Sequence, residues 1–329
     1  MLNITNGQSA NEVLSAAGIP GSFLGWDDPM HQGPAPSGLS LREMSRIRAR
    51  FIAGNQWESL EASQKRFEDR DHKLRVAART SSVLIWSSFE LFDQLHLLQL
   101  LDWFEQHRDA CEPPRVLWVR AYLGGGQLDA DDLRNLYNEC EPISAPQQCT
   151  AADIWEAFTS ANPDRLFAWS RRSLAGLPFM QKALRRLLEE FPSSECGLSR
   201  TERQIIEVLE AGALAAVQLF QACQALEVRR FMGDSSFWLE LQRLIDADQP
   251  LVCEARGAQS RFPPTIDQQS REFLDQRFAL TDQGLAVLAG EQDFLSSWSG
   301  ERWIGGSRIH VDCPWRWDNT AEHLQATSR

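Results

Sequence analysis

Leu2-Asn3-Ile4-Thr5-Asn6-Gly7 reads as a short buried strand closed by a turn signal. Ser9 stands as an N-cap with Glu12 at capping-box spacing, and Val13, Leu14, Ala16 and Ala17 give the next helix an apolar face. Gly18-Ile19-Pro20-Gly21 ends that helix, because glycine supplies a C-cap and proline cannot continue it. Ser22 to Trp26 is a second strand. Strand, turn, helix and strand in this order form the first half of an open α/β sheet. Ligands of such sheets sit outside the carboxyl ends of the strands. Asn6-Gly7 is therefore expected beside Trp26-Asp27-Asp28-Pro29-Met30-His31-Gln32-Gly33-Pro34. That second stretch holds two carboxylates and an imidazole within five residues. The set suits a metal or general acid/base corner. It equally suits a rigid Pro/Gly loop in which Asp caps a backbone N–H and His hydrogen-bonds a carbonyl.

Outward from there, the same sheet continues. Ser40 caps a helix over 41–53, with Leu41, Met44, Ile47 and Phe51 inward and Arg42, Arg46, Arg48 and Arg50 on the outer face. Such a run is a solvated face or a set of phosphate contacts. Ser59 to Arg79 reads as a longer polar helix with Leu60, Phe67, Leu74 and Ala77 inward. Ser82 to Trp86 is a continuous apolar strand of the kind buried on both faces of a parallel sheet. Ser87-Ser88-Phe89-Glu90 follows at its carboxyl end, then an apolar helix over 91–107. Asp93 and His96 stand three apart on one face of that helix. Asp93 is either a catalytic carboxylate or a partner of the helix dipole. Arg115 to Val119 is a fourth strand, followed by Gly124-Gly125-Gly126. Three glycines permit close backbone approach to a ligand but match neither the Walker nor the dinucleotide fingerprint. Asp129 caps a short helix to Cys140.

These motifs resemble a bacterial family, that of the domain of unknown function 1835 with its C-terminal companion domain. The likeness lies in Thr5-Asn6-Gly7, in Trp26-x-Asp-x-x-His31-x-Gly33-Pro34, and in Gly38-Leu39-Ser40. It returns at Asp93-Gln94-Leu95, Leu198 to Arg203, Phe231 to Asp234, and Trp315 to Asp318, and so spans nearly the whole chain. The resemblance implies a two-part bacterial protein and no particular reaction. The family's strand end reads Glu-His-Asp before Tyr-Asp-Gln. Here Ser88, Phe89 and Glu90 stand there, with Phe92 in place of the tyrosine, so only Glu90 keeps a carboxylate. The loop after the fourth strand is also shorter than the family's. Any family chemistry at this corner would be altered in this chain.

Glu141 to Pro146 reads as a linker, Thr150 as the cap of a helix to Asn162, and helices follow at 164–170 and 179–191. In the last, Leu184, Leu187, Leu188 and Phe191 point inward and Arg185-Arg186 away. Ser199 caps a helix to Glu210. Helices at 215–226 and 234–245, strands at 250–254 and 278–280, and a helix capped by Thr281 then give a winged-helix-like pattern. Its charge opposes DNA reading. Residues 198–290 hold nine Arg and no Lys against thirteen Asp plus Glu, and the third helix is acidic. Arg229-Arg230 is its one basic pair. Trp303 to Gly306 and Pro314 to Asp318 form an aromatic tail expected to fold back, bury two or three indoles and close over the N-terminal cleft.

The expected architecture is α/β: a Rossmann-like open, mostly parallel sheet at 1–145, a helical connector at 146–196, a winged-helix-like α+β module at 197–290, and the tail at 291–329. Length, 43% hydrophobic residues and 24% charged residues fit a globular protein of two or three domains. A net charge of −12 opposes bulk adhesion to nucleic acid or anionic membranes. No apolar run reaches the roughly 20 residues of a membrane span, and the N-terminus lacks a signal-peptide pattern. Seven scattered Cys without a C-x-x-C pair read as reduced core thiols in a cytoplasmic protein.

The leading expectation is binding of, or chemistry on, a small phosphate-bearing molecule at the sheet's carboxyl edge. His31 is the candidate acid/base, Asp27 and Asp93 the orienting or metal-binding carboxylates, and Glu90 a further catalytic candidate. Asn6, Gly7, Asp28, Gly33, Gln94 and Gly124 to Gly126 are candidate ligand contacts. Neither cofactor nor metal is specified. The rival is a regulatory or interaction protein whose module contacts a protein partner, with nucleic acid disfavoured by its charge.

Overall fold

A computed structural model describes residues 1–108, 116–123, 127–255 and 271–327. The candidate contacts Gly124, Gly125 and Gly126 lie outside the described residues. β1 (Leu2–Thr5) is buried throughout and leads into α1 (Gln8–Ala16) and β2 (Ser22–Gly25). Then come α2 (Leu41–Gly54), α3 (Leu60–Thr80), β3 (Val83–Ser87), α4 (Leu91–Gln106) and β4 (Val116–Arg120). α5 (Ala130–Asn138) and β5 (Glu141–Pro142) complete a five-stranded sheet of order β2-β1-β3-β4-β5. All pairs are parallel except β4–β5, and Ile4 of β1 lies opposite Leu24 on one side and Ile85 on the other. β3 is buried at every position, as its unbroken apolar run requires.

Several local expectations give way to longer-range partners. Ser9 does not cap α1: Gly7 does, because its carbonyl already accepts from the Asn11 N–H at 3.1 Å. Ser40 does cap α2, in a reciprocal capping box with Glu43. Arg48, expected on the solvated face of α2, is completely buried. In α3 the expected core residue Leu60 is exposed, while Arg70 and Asp71 are buried beside Phe67 and Leu74.

The segment expected as a linker supplies β5 and then Ser144, which caps α6 (Ala145–Thr159); Thr150 lies inside that helix. α6 and α8 (Met180–Leu188) pack on α4, which explains why α4 is apolar around its whole circumference. α7 (Asp164–Ser170) joins them. Arg185 is exposed as expected, but Arg186 turns inward, ion-paired to Glu190 and Glu227 and set over the Phe231 ring at 3.6 Å.

α9 (Arg200–Glu210), β6 (Leu214–Ala215), α10 (Ala216–Ala225), α11 (Asp234–Ile245) and β7 (Val252–Glu254) follow. α12 (Arg271–Leu274), β8 (Arg277–Leu280) and α13 (Asp282–Leu288) close the module, whose antiparallel sheet has the order β6-β8-β7.

The tail forms two antiparallel hairpins, β9 (Arg302–Ile304) with β10 (Ser307–Ile309) and β11 (Trp315–Asp318) with β12 (His323–Ala326). It buries Trp298 and Trp317 and leaves Trp303 and Trp315 half-buried. Gly305 sits at φ +56°, where a Cβ would come within 2.1 Å of the Phe158 carbonyl, so only glycine lets the hairpin reach α6. Gly305 accepts from the Ala35 N–H at 2.9 Å, and Gly306 donates to the Phe158 carbonyl at 2.9 Å. Of the described cysteines, Cys196, Cys223 and Cys313 are buried, whereas Cys149 and Cys253 are exposed rather than in the core; all are free thiols. No helix among the described residues is long and apolar enough to cross a membrane.

Candidate functional site

The strand order changes direction between β1 and β3, since β1 continues to β2 on one side while β3 lies on the other. In open α/β sheets this switch point opens the crevice used for ligands. Asn6 ends one side and Ser88 the other, and Asp93, in the first turn of α4, joins them. Its Oδ1 accepts from Asn6 Nδ2 at 2.9 Å and its Oδ2 from the Ser88 N–H at 2.6 Å. Gln94 donates through Nε2 to the Ser88 carbonyl at 2.5 Å, and the Glu90 N–H donates to Ser88 Oγ at 3.0 Å. Asp93 is thus an orienting group with both oxygens engaged. Glu90 Oε1 and Gln94 Oε1 are buried without a partner among the described residues. Burial, and secondarily the neighbouring Asp93, push the Glu90 carboxyl up to about 7, against the pull of Arg230.

The departure from the family motif has a packing counterpart here. Phe89 stacks on Tyr122 at 5.4 Å between ring centroids and meets Phe179 at 6.4 Å. The Arg229 guanidinium lies over the Phe89 ring at 4.7 Å. Arg229 therefore serves this stack, while Arg230 remains exposed.

Asp27, Asp28 and His31 do not converge. Asp28 is buried and its carboxylate receives Arg48 Nε at 2.9 and 3.0 Å. The same guanidinium donates to the carbonyls of Pro29, Gln32 and Pro34, so one arginine gathers the whole turn. His96 Nε2 donates to the Asp28 carbonyl at 2.7 Å. Asp28 is consequently a scaffold group, not a free ligand contact. Gly33 (φ +75°) also serves the turn: a Cβ there would strike the Phe51 ring at 2.5 Å.

Asp27 is exposed and pairs with Arg66. His31 is buried, with Nε2 3.2 Å from Ser236 Oγ of α11 and its ring edge-on to Phe92 and Phe231. Burial, then Arg48, drive the His31 ring down to about 3, so it is neutral at physiological pH. Among the described residues no group of three His, Cys, Asp or Glu side chains is placed to hold a metal ion.

Two cavities open at this edge. One, of about 590 Å³, runs from Asp27, Arg66 and Phe92 to His31 and the start of α11. The other, of about 510 Å³, is lined by Gln8 at the start of α1, Gly25, Asp27 and the α3 side chains Lys65, Arg66 and Lys73. Gly25 allows this closeness: a Cβ on it would lie 3.3 Å from the Gly7 Cα, and Gly7 itself lies against Asp27.

Arg48 and Arg66 are the site residues that sequence reasoning missed. Arg48 had a readable signal, because it stands four residues from both Met44 and Ile52 and so shares their buried face. Arg66 had none, since its partner is 39 positions away. No protein-family model matches the chain, and no curated protein matches it.

Proposed function

We propose that the chain binds a small phosphate-bearing molecule at the carboxyl edge of the five-stranded sheet, with the phosphate against the first turn of α1. The observation that carries this reading is the charge of the cavity beside Gln8 and Gly25. Lys65, Arg66, Arg70 and Lys73 line it with Asp27 and Asp69; Arg66 is paired with Asp27 and Glu58, and Arg70 with Asp71, so Lys65 and Lys73 are the cations left to meet an anion, in a chain of net charge −12. α1 also has no acidic residue in its first turn and no side-chain cap, which suits a helix start that receives an anion. The position agrees with a Rossmann-like arrangement, and the motif likeness to the domain of unknown function 1835 family extends to Thr5, Asn6 and Gly7 at this edge. Of the two acid/base candidates near the sheet edge, burial raises the Glu90 carboxyl to about 7 and lowers the His31 ring to about 3, which favours Glu90 over His31 for any proton transfer. A thermal-shift screen with nucleotides, sugar phosphates and inorganic phosphate tests the reading. A phosphate compound should raise the melting temperature of the wild type and not that of a Lys65→Ala/Lys73→Ala variant. An equal rise in both proteins, or no rise with any of them, sinks it.

A second reading, a regulatory or interaction protein, draws on the C-terminal module. Its order α9-β6-α10-α11-β7-β8, with β8 central, supports a winged-helix-like module. Its third helix, α11, spends Ser236 and Glu240 on Gln32 and His31 of the N-terminal loop. A helix committed in this way favours packing or protein contact over groove reading. Duplex DNA affinity that falls steeply with salt and with Arg229→Ala/Arg230→Ala would reverse that preference.

A further inference from the structure

A larger cavity, of about 620 Å³, shares only His31 with the cavities at the edge described above. It lies between the loop at 31–34, the C-terminal half of α2, α11 and the tail before β9. Its volume falls in the range of small-molecule sites, roughly 300–1,000 Å³. Phe51, Leu239, Trp298 and Trp303 give it broad apolar and aromatic walls.

The polar groups in those walls are mostly spent on one another. Arg243 pairs with Glu240 and, at 3.3 Å, with Glu202; Arg302 donates to the Glu190 carbonyl at 2.6 Å. Gln32 is the exception. Its Nε2 donates to the Ser236 carbonyl at 3.1 Å and to Glu240 Oε1 at 2.5 Å. Two acceptors on the nitrogen fix the orientation of the amide and leave Oε1 as an acceptor only. That oxygen is buried and has no partner among the described residues, and the same holds for Nδ1 of the neighbouring residue His31. A buried acceptor left unmatched costs about 1–3 kcal/mol, so the wall is built to receive a donor.

We infer that this interdomain cavity binds an uncharged planar aromatic or heteroaromatic molecule that donates an N–H or O–H to Gln32 Oε1. The apolar rings hold the body of the ligand. Arg243 and Glu240 neutralise each other in the wall, so the ligand needs no charge of its own there, and Gln32 sets which way round it sits. This site is separate from the phosphate-binding edge, and either can fail without the other.

Indole and 1-methylindole are the probes, since they share a ring system and only indole carries an N–H. Titration of the full chain with each, followed by saturation-transfer NMR and calorimetry, should show indole binding with a Kd of about 1 mM or below. 1-Methylindole should bind at least about fivefold more weakly, because it leaves Gln32 Oε1 unmatched. Gly54 ends α2 at the cavity wall, and a Cβ built there meets nothing within 4 Å. Gly54→Leu should therefore fold normally, occupy the ligand's space and cut indole binding at least about tenfold. Gln32→Leu should abolish the preference for indole. Equal affinity for the two probes overturns the hydrogen bond. No saturable indole binding, or binding unchanged by Gly54→Leu in a normally melting protein, overturns the site.

Discussion

Two corners of the N-terminal half carry acidic residues, and they use them in opposite ways. In the loop at 27–34 the buried carboxylate is consumed internally: Arg48 holds Asp28 and three carbonyls, and His96 holds the backbone, so that within the loop Gln32 and His31 alone keep a buried side-chain atom without a partner among the described residues. At the β3–α4 corner Asp93 clasps Asn6 to Ser88, yet the Glu90 carboxylate keeps a buried oxygen with no partner among the described residues, as does the Gln94 amide. The buried acid of the first corner is a fixture, and the second corner has a carboxylate oxygen to spare. A short cluster of Asp, Asp and His is therefore no sign of a site until the fate of each lone pair is known.

The contrast breaks most visibly at Arg48. Arg48→Ala should cost about 3–5 kcal/mol in urea unfolding, because it strands a buried carboxylate and leaves carbonyls unmatched. A loss below about 1 kcal/mol would show that the loop is held by something else. Asp93→Ala should cost less, about 1–3 kcal/mol, since it releases one amide side chain and one backbone N–H. Asp93→Asn, which can still accept one of those bonds, should recover part of the loss.

The next effect is one of pH. Glu90 has a folded pKa raised from 4.5 to about 7, so between those values the folded protein holds more protons than the unfolded chain. Stability from this group is present below pH 4.5 and falls as pH rises through 7. Glu90→Gln should remove that decline, giving a larger gain over wild type at pH 8 than at pH 5. An equal gain at both would contradict the raised pKa. His31 has the opposite sign: its pKa falls from 6.5 to about 3, so its contribution is present above 6.5 and lost as pH drops. Its imidazole resonances should remain those of the neutral ring at pH 5. The smallest effect belongs to the exposed Asp27–Arg66 pair, where either alanine should change stability by less than about 1 kcal/mol. A larger loss would make Asp27 a fixture like its neighbour.

The sheet was legible because its signals are local. β3 is an unbroken apolar run, and Ser40 with Glu43 marks the start of α2 within four residues. The edge location of the candidate site followed from strand order alone. What sequence could not supply was the partner of each polar group. Asp28 and Asp27 are adjacent and equally acidic, yet Arg48 makes one a strut while Arg66 leaves the other at the surface. His31 looked like an acid/base residue because its type titrates near neutrality. Ser236, 205 residues later, lies on the helix that buries it. Arg186 was assigned outward by its helix face, and Glu227 on a separate segment turned it inward. Such pairings form across the tertiary structure and leave no periodicity to read.

The hairpin at Gly305 also sets an order of events during synthesis. The Ala35 N–H finds its acceptor on Gly305, and the Phe158 carbonyl finds its donor on Gly306. Ribosomes extend chains at about 5–20 residues per second, so the sheet can assemble many seconds before that hairpin leaves the exit tunnel. Through that interval the nascent chain carries an open seam between the first loop and α6, and the seam closes only once the hairpin has emerged.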